Sequence, residues 1–424
     1  MSEIDSNPHH EYQPGTPSLL RAINERSLLG YLRSHGPTSR AQLARATGLS
    51  KPTVSQALAG LEHAGLVRPT GQSSISSKGG RVAILYEPNP EAGYVLGVDV
   101  GRSWVRAAVA NLAGQIIVRS DEPNNAMSAS ALVALINHLA RDLVSHAGIS
   151  WSQVVHAVIG TPGVFDAQSK RMLFASNLPE WGRHGLLTEL QVALDLSLSV
   201  ENDANLAALG ERSFGWGSSA STFVYITIGT GVGMGIVING ALYRGARGAA
   251  GEIGFLPFGL REVVEESGKI SESYLGMFEE ATAAEGIVRH AQKLGLPASL
   301  STKQIFDAAH HGDSKALAVV EQEGRRLALA IAAITAVLDP ELIVLGGGIG
   351  QRSELLLPPL ERRLQQLTPL RPHIVTSKLG DDSVLLGAIA TALEIAHNLV
   401  FQHYFDGNLT NNLAEDVILK HKRI

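Results

Sequence analysis

Two short stretches hold the residues best able to do chemistry. In SVENDANLAALGE, Asn202 and Asp203 stand between a β-rich run and an alanine-rich helical one. A carboxylate at such a junction can accept hydrogen bonds from sugar hydroxyls, or act as the base for an attacking hydroxyl in phosphoryl transfer. Taken alone, Asn-Asp at a helix start is more often a plain cap. In ITIGTGVGMGIVINGALYRGARGAAGEIGF, Gly229, Thr230, Gly231 and Gly233 look like a phosphate-binding turn, and Glu252 sets a second carboxylate in a glycine-rich turn. Asp99 closes the strand-like run VLGVDV, where it can face a ligand or Mg²⁺. The turn after it could wrap phosphate through backbone amides, but Arg102 sits in its middle. That side chain either competes with a phosphate for space or binds one. The loops GTPGVF (Gly160–Phe165) and SNLPEW (Ser176–Trp181) add small and polar groups, and the Leu342–Gly350 run suits an adenosine-side loop. Each signal is weak by itself.

A different chemistry is written nearer the N-terminus, in TSRAQLARATGLSKPTVSQALAGLEHAGLV. Ser39 can cap a helix running to about Thr47, Gly48 supplies a tight turn, and Ser50 caps the next helix with Pro52 in its first turn. Val54, Leu58 and Leu61 fall at i, i+4 and i+7 and so share a buried face. Pro52, Thr53 and Gln56 then point outward, flanked by Lys51 and Ser55, a polar helix start of the kind that enters a major groove. Leu66–Thr70 and Arg81–Tyr86 read as the strands of a wing, whose loop carries Lys78 and runs into Arg81. The candidate DNA contacts are Arg40, Ser50, Lys51, Pro52, Thr53, Ser55, Gln56, Lys78 and Arg81. A helical hairpin without a DNA role is the bland alternative, but helix, glycine turn, serine-capped helix and basic wing rarely occur together.

The elements that must position these groups follow from length and texture. A chain of 424 residues is too long for one ordinary core. Its 45% hydrophobic and 18% charged residues mark a folded protein. Zero cysteines exclude disulfides and thiolate metal sites. The polar N-terminus and the absence of a membrane-length apolar run favour the cytoplasm and no membrane partner. Between Pro17 and Pro90, nine Lys/Arg stand against three Asp/Glu, a net of +6, whereas residues 91–424 net −8. A basic module on an acidic body suits a polyanion-binding head.

The expected domains are a disordered leader (1–16), a winged helix-turn-helix (17–87), an α/β body (91–400) and a C-terminal extension (401–424). Pro88, Asn89 and Pro90 read as a linker. In the body, strands are expected at Tyr94–Val100, Val105–Val109, Val154–Ile159, Leu198–Glu201, Phe223–Ile228, Gly235–Ile238 and Leu342–Leu345. Helices are expected at Ala129–His146, Ala204–Glu211, Lys315–Leu338 and Leu385–Asn398.

The order of all these motifs, from about Ser18 to Leu393, resembles the ROK family (repressors, open reading frames and kinases), specifically its repressor branch. The resemblance implies a two-lobed, actin-like and RNase H-like sugar-kinase fold, with a lobe boundary near 205 and a C-terminal helix returning to the first lobe. It implies a sugar in the interlobe cleft, held by Asn202, Asp203 and Glu252 with Gly163 and Asn177 nearby, Asp203 matching the kinase base. Glu279 matches a glutamate that follows the family's zinc motif. This chain departs from the family in having Phe255 where a sugar-contacting histidine is common, and in lacking the zinc cysteines altogether. Phe255 would offer the sugar an apolar face instead.

The expectation is a sugar-controlled, sequence-specific DNA-binding repressor that acts as a homodimer or homotetramer on double-stranded operator DNA. It would need no cofactor and no metal, and Asp203 would be a vestigial base. An active sugar kinase with an appended head is the alternative, and an effector-independent architectural DNA binder is a third reading.

Overall fold

Two serines set the helix starts of the N-terminal segment. Ser39 accepts from the Gln42 amide while Gln42 Oε1 accepts from the Ser39 amide, a complete capping box for the helix Arg40–Thr47. Gly48, at φ 73°, closes that helix in the left-handed region. Ser50 then caps Lys51–His63, with Pro52 in the first turn and Val54, Leu58 and Leu61 fully buried. The computed structural model describes residues 17–74, 83–166, 169, 171–175, 178–257 and 276–421. They fall into two units, one drawn from Met1–Gly93 and His397–Ile424, the other Tyr94–Ala396.

In the first unit the helix Pro17–His35 packs Leu28, Leu29 and Leu32 against the two shorter helices. The strands Val67–Ser74 and Ala83–Pro88 pair antiparallel, and Thr38–Ser39 adds a third strand beside the latter. Lys78 and Arg81 lie outside the described residues. The Pro88–Pro90 stretch is pinned within this unit, because Asn89 donates from its amide to Leu66 O and from its side chain to Gly65 O. The C-terminal helix Ser383–His421 runs far beyond the Asn398 expected from periodicity. Its later part has a partner inside the first unit. Asn398 accepts from Arg26 at 3.0 Å, Phe401 is buried, and the Tyr404 hydroxyl donates to the buried Glu25.

The second unit contains two five-stranded sheets of identical topology. Numbering strands within each sheet by sequence, both have the order 3-2-1-4-5, with an antiparallel meander followed by two parallel strands. The first sheet comprises Tyr94–Val100, Trp104–Asn111, Ile116–Pro123, Val154–Thr161 and Leu198–Asn202. The second comprises Phe223–Ile228, Val232–Ile238, Ala241–Leu242, Leu342–Gly346 and His373–Thr376. The inner strands Tyr94–Val100, Val154–Thr161, Phe223–Ile228 and Leu342–Gly346 are buried along almost their whole length, which explains their nearly continuous apolar runs, whereas the edge strand Ile116–Pro123 is mostly exposed. The helices Ala129–His146 and Ser314–Leu338 cover one sheet each.

Between the sheets runs the helix Asp203–Phe214, held by backbone contacts that only glycine allows. A Cβ at Gly235 would sit 2.3 Å from Ala204 O, and one at Gly387 would sit 1.8 Å from Leu206 O. Glu211 anchors its far end, accepting from the Trp216 amide, the Ser377 hydroxyl and the Leu379 amide. One stretch among the described residues, Gly380–Phe405, is long and apolar enough to cross a membrane by length and composition. Its apolar side chains have partners in the protein: Leu385, Ala388, Ile389 and Ala392 are buried with Val95 and Val158 of the first sheet.

Candidate functional site

Within the second unit a cleft of about 780 Å³ is lined by turns from both sheets. At one end the helix Asp203–Phe214 begins. Asn202 is its N-cap, taking the Asn205 amide on Oδ1 at 3.0 Å and donating from Nδ2 to Gly163 O at 3.0 Å. That leaves one N–H and one lone pair for a ligand. Gly163 is fixed at φ 94°, and a Cβ there would meet Leu173 O at 2.5 Å. Asp203, at the first helical position, takes the Ala204 amide on Oδ1 at 2.8 Å. A helix N-terminus favours a carboxylate by roughly 0.3–1 kcal/mol, yet burial outweighs it and pushes Asp203 above the usual carboxylate range.

Two more carboxylates, Glu252 and Glu279, line the same cleft, and the buried Asp99 lies close enough to Asp203 to feel its charge. Glu252 is pushed up to about 7 by burial, then by Asp203 and Glu279. Glu279 is raised mainly by burial and accepts weakly from the Val232 amide at 3.4 Å. Its Cβ lies 3.1 Å from the Cβ position of Gly254, so the helix Met277–Thr282 packs directly on the Glu252 turn. Asp99 is pushed up to about 7 by burial, although Arg106 donates to it at 3.1 Å and pulls the other way. Protonated or half-protonated carboxyls can both donate to and accept from hydroxyls.

Phe255 lines the same cleft, 43% exposed, and meets Phe174 edge-on with ring centroids 5.2 Å apart. Phe174 holds φ at 60°, a left-handed conformation that costs a non-glycine residue about 1–2 kcal/mol. Nothing in the sequence around Phe174 announces this contact. Arg106 was equally hidden, although pairing the two strands of the VLGVDV hairpin in register would have set it opposite Asp99. Asn177 lies outside the described residues. Asn202, Asp203, Glu252, Phe255, Glu279 and Gly163 all line the one cleft.

The cleft is also walled by Gly101–Ser103, by Gly229–Gly233 and by Gly347–Ile349. Arg102 projects here and pairs with Glu285 at 3.4 Å, both side chains half exposed or more. A zinc-thiolate site needs cysteines, and the chain has none.

The first unit presents its own candidate surface. Lys51, Pro52 and Gln56 are exposed along one side of Lys51–His63, while Thr53 and Ser55 are half-buried. Ser50 and Thr53 hydroxyls lie 2.8 Å apart, so part of their hydrogen-bonding capacity is spent on the cap. Arg40 is exposed, yet its guanidinium bonds the Tyr86 hydroxyl and lies 5.0 Å from that ring. This pair ties the helix Arg40–Thr47 to the wing strand Ala83–Pro88.

Sequence profiles match this chain twice: the ROK family over residues 95–395 and the MarR family over residues 22–73. It is 28% identical to the xylose repressor of Caldicellulosiruptor bescii, over 92% of this chain and all of the relative. It is 32% identical to the glucokinase of Halalkalibacterium halodurans, over 69% of this chain and 93% of that enzyme. The crystal structure of a ROK family transcriptional regulator, a homologue of the E. coli Mlc protein, superposes over 91% of this chain and 99% of its own. That superposition has a TM-score of 0.72 at 23% identity, a likeness of fold.

Proposed function

The chain belongs to the ROK family, and on that premise we propose that it is a DNA-binding transcriptional repressor controlled by a sugar or sugar derivative bound in the cleft. The observation that carries this reading is the joining, in one chain, of a MarR-like winged helix to a ROK body, matched along nearly its whole length by a xylose repressor. The head reads DNA with Lys51–His63. Gln56 pairs with a base edge, Lys51 holds phosphate, and Arg40 steadies the wing. A single winged helix makes too few contacts for operator-grade discrimination, so two or more copies act together on a palindromic site in the cytoplasm.

The cleft supplies hydroxyl partners at Asn202, Asp203, Glu252 and Glu279 and an apolar wall at Phe174 and Phe255. A ligand that favours one arrangement of the body shifts the population of operator-competent molecules by no more than its differential affinity. Phosphoryl transfer needs an open phosphate cradle, and Arg102 occupies the first turn of this one. Asp203 is therefore a binding group, not a base.

The test is operator binding by gel-shift titration, with and without a panel of sugars, for the wild-type protein and for Asp203→Ala and Glu252→Ala. The expected result is that a sugar alters wild-type binding, while each variant binds operator normally and no longer responds. Sugar-dependent ATP consumption at enzyme-like rates by the wild-type protein would overturn the non-catalytic part. Absence of any sequence-selective DNA binding would overturn the whole.

A further inference from the structure

Outside the cleft, the second unit has another cavity, of about 450 Å³, between the helices Ser314–Leu338 and Ser353–Leu367. Each helix brings an Arg-Arg pair to it, Arg325 and Arg326 from one and Arg362 and Arg363 from the other. Glu321 is the one carboxylate among the described residues that line it, so the lining carries a net +3. That charge stands out in a body whose residues 91–424 net −8. Gly324 sets the two walls against each other. A Cβ there would meet Pro359 Cγ at 2.6 Å and Leu360 N at 3.0 Å.

Arginines on a solvated helix face need no ligand, and Arg325 and Arg362 are 56% and 60% exposed. Both are also satisfied. Glu321 accepts from Arg325 on Oε1 at 3.1 Å and from Arg362 on Oε2 at 2.6 Å, so this carboxylate is already shared between the walls. The other pair differs. Arg326 is only 13% exposed; it donates to Ala281 O at 2.8 Å, while its buried Nε has no hydrogen-bond partner. Glu323 comes within 3.8 Å of it, but burial pushes that carboxyl up to about 8, so at neutral pH it supplies little counter-charge. Arg363 donates to the Gln366 side-chain oxygen at 3.0 Å. Among the described residues, neither Arg326 nor Arg363 has a carboxylate at hydrogen-bond distance. A mostly buried cation without a counter-ion is costly, and a concave cluster of one sign concentrates ions of the other.

We propose that this cavity binds a small phosphate-bearing anion, shared between Arg326 and Arg363, with Arg325 and Arg362 at the rim. Glu321 shows what one carboxylate can do here: its two oxygens are taken up by two guanidinium groups. A phosphate group offers three terminal oxygens and meets guanidinium N–H pairs bidentately, so it suits the larger remaining donor set. The volume lies within the roughly 300–1,000 Å³ of small-molecule sites. Arg326 also gives the anion a route to the rest of the unit. Its bond to Ala281 O holds the helix Met277–Thr282, whose Glu279 lines the cleft. This site is separate from the cleft and does not rest on the repressor reading.

The test is calorimetric titration of the full-length protein with inorganic pyrophosphate, inorganic phosphate and citrate at constant ionic strength. Pyrophosphate should bind, and Arg363→Gln should weaken it by about 10- to 100-fold, the range of a lost charge-assisted guanidinium contact. Glu321→Gln frees Arg325 and Arg362 and should tighten it. Thermal melts confirm that both variants are folded. Hydrogen exchange with pyrophosphate present should slow in Met277–Thr282 and in the two wall helices.

Failure of pyrophosphate to bind, or binding indifferent to both variants, would overturn the site. Citrate binding as tightly as pyrophosphate would overturn the phosphate assignment. Exchange in Met277–Thr282 that is unchanged on binding would overturn the route through Arg326. Each of these results leaves the sugar-controlled repressor standing, since none of them touches the cleft or the operator.

Discussion

On the sugar-cleft reading, Glu252 should make effector binding sensitive to pH between about 6 and 8. In the free cleft, burial and the neighbouring Asp203 and Glu279 push it up to about 7. A sugar hydroxyl donating to an ionised acceptor contributes about 1.5–3 kcal/mol, against about 0.5–1.5 kcal/mol for a neutral one. The difference, about 1 kcal/mol, is roughly fivefold in affinity. Since hydroxyl donors favour the ionised form, the ligand lowers the Glu252 pKa and binding releases a proton. Affinity should therefore rise about fivefold between pH 6 and pH 8.

Calorimetry at pH 6, 7 and 8, in two buffers of different ionisation enthalpy, measures both the affinity step and the proton released. Glu252→Gln keeps the shape and removes the titration, so its profile should be flat in that window. Asp99 titrates in the same range but is held by Arg106, and it serves as the internal control because Glu252→Gln leaves it in place. Affinity that falls as pH rises, or a step of equal size in Glu252→Gln, would refute the reasoning.

Stability should run the opposite way with pH. The folded pKa values of Asp99, Glu252 and Glu323 are all raised above their unfolded values. Their contribution is thus fully present below about pH 4 and lost as pH rises through about 7–8. Glu323 is the sharpest case, being 1% exposed with neither oxygen hydrogen-bonded and pushed up to about 8 by burial. Keeping it protonated at pH 7 costs on the order of 3 kcal/mol relative to the unfolded chain. Glu323→Gln should raise the melting temperature at pH 8 and leave it little changed at pH 4. At the DNA face, Gln56→Ala should cost about 1–3 kcal/mol on the operator and relax sequence discrimination. Lys51→Ala should weaken all sequences alike and reduce the salt slope by about one; gel shifts at several salt concentrations separate the two. Gly387→Ala sets a Cβ 1.8 Å from Leu206 O, so thermal melts should show a loss of about 1–3 kcal/mol from overpacking.

Where the sequence carried local physics, it placed residues well. Ser39, Gly48 and Ser50 are caps whose geometry depends on a few neighbours, and all three act as their types require. Helix Ala129–His146 was legible to both ends because its apolar period is uninterrupted and Ser128 caps it. Helix Ser353–Leu367 was not, because Pro358 and Pro359 fall inside it and read as breakers. The two sheets repeat one topology without repeating a sequence motif, so the duplication is visible only in the strand order.

In the cleft, Asn202, Asp203 and Glu252 were found because turn chemistry marks them. Phe174 and Arg106 were missed because what matters about each is a partner distant in the fold or across a strand pair. The same limit applies to the C-terminal helix. Its first turns bury Leu385 and Ile389 with the first sheet, whereas Asn398, Phe401 and Tyr404 bond and pack within the winged-helix unit. Periodicity ends its reading where the apolar stripe changes partner, near Asn398, but the backbone continues as one helix.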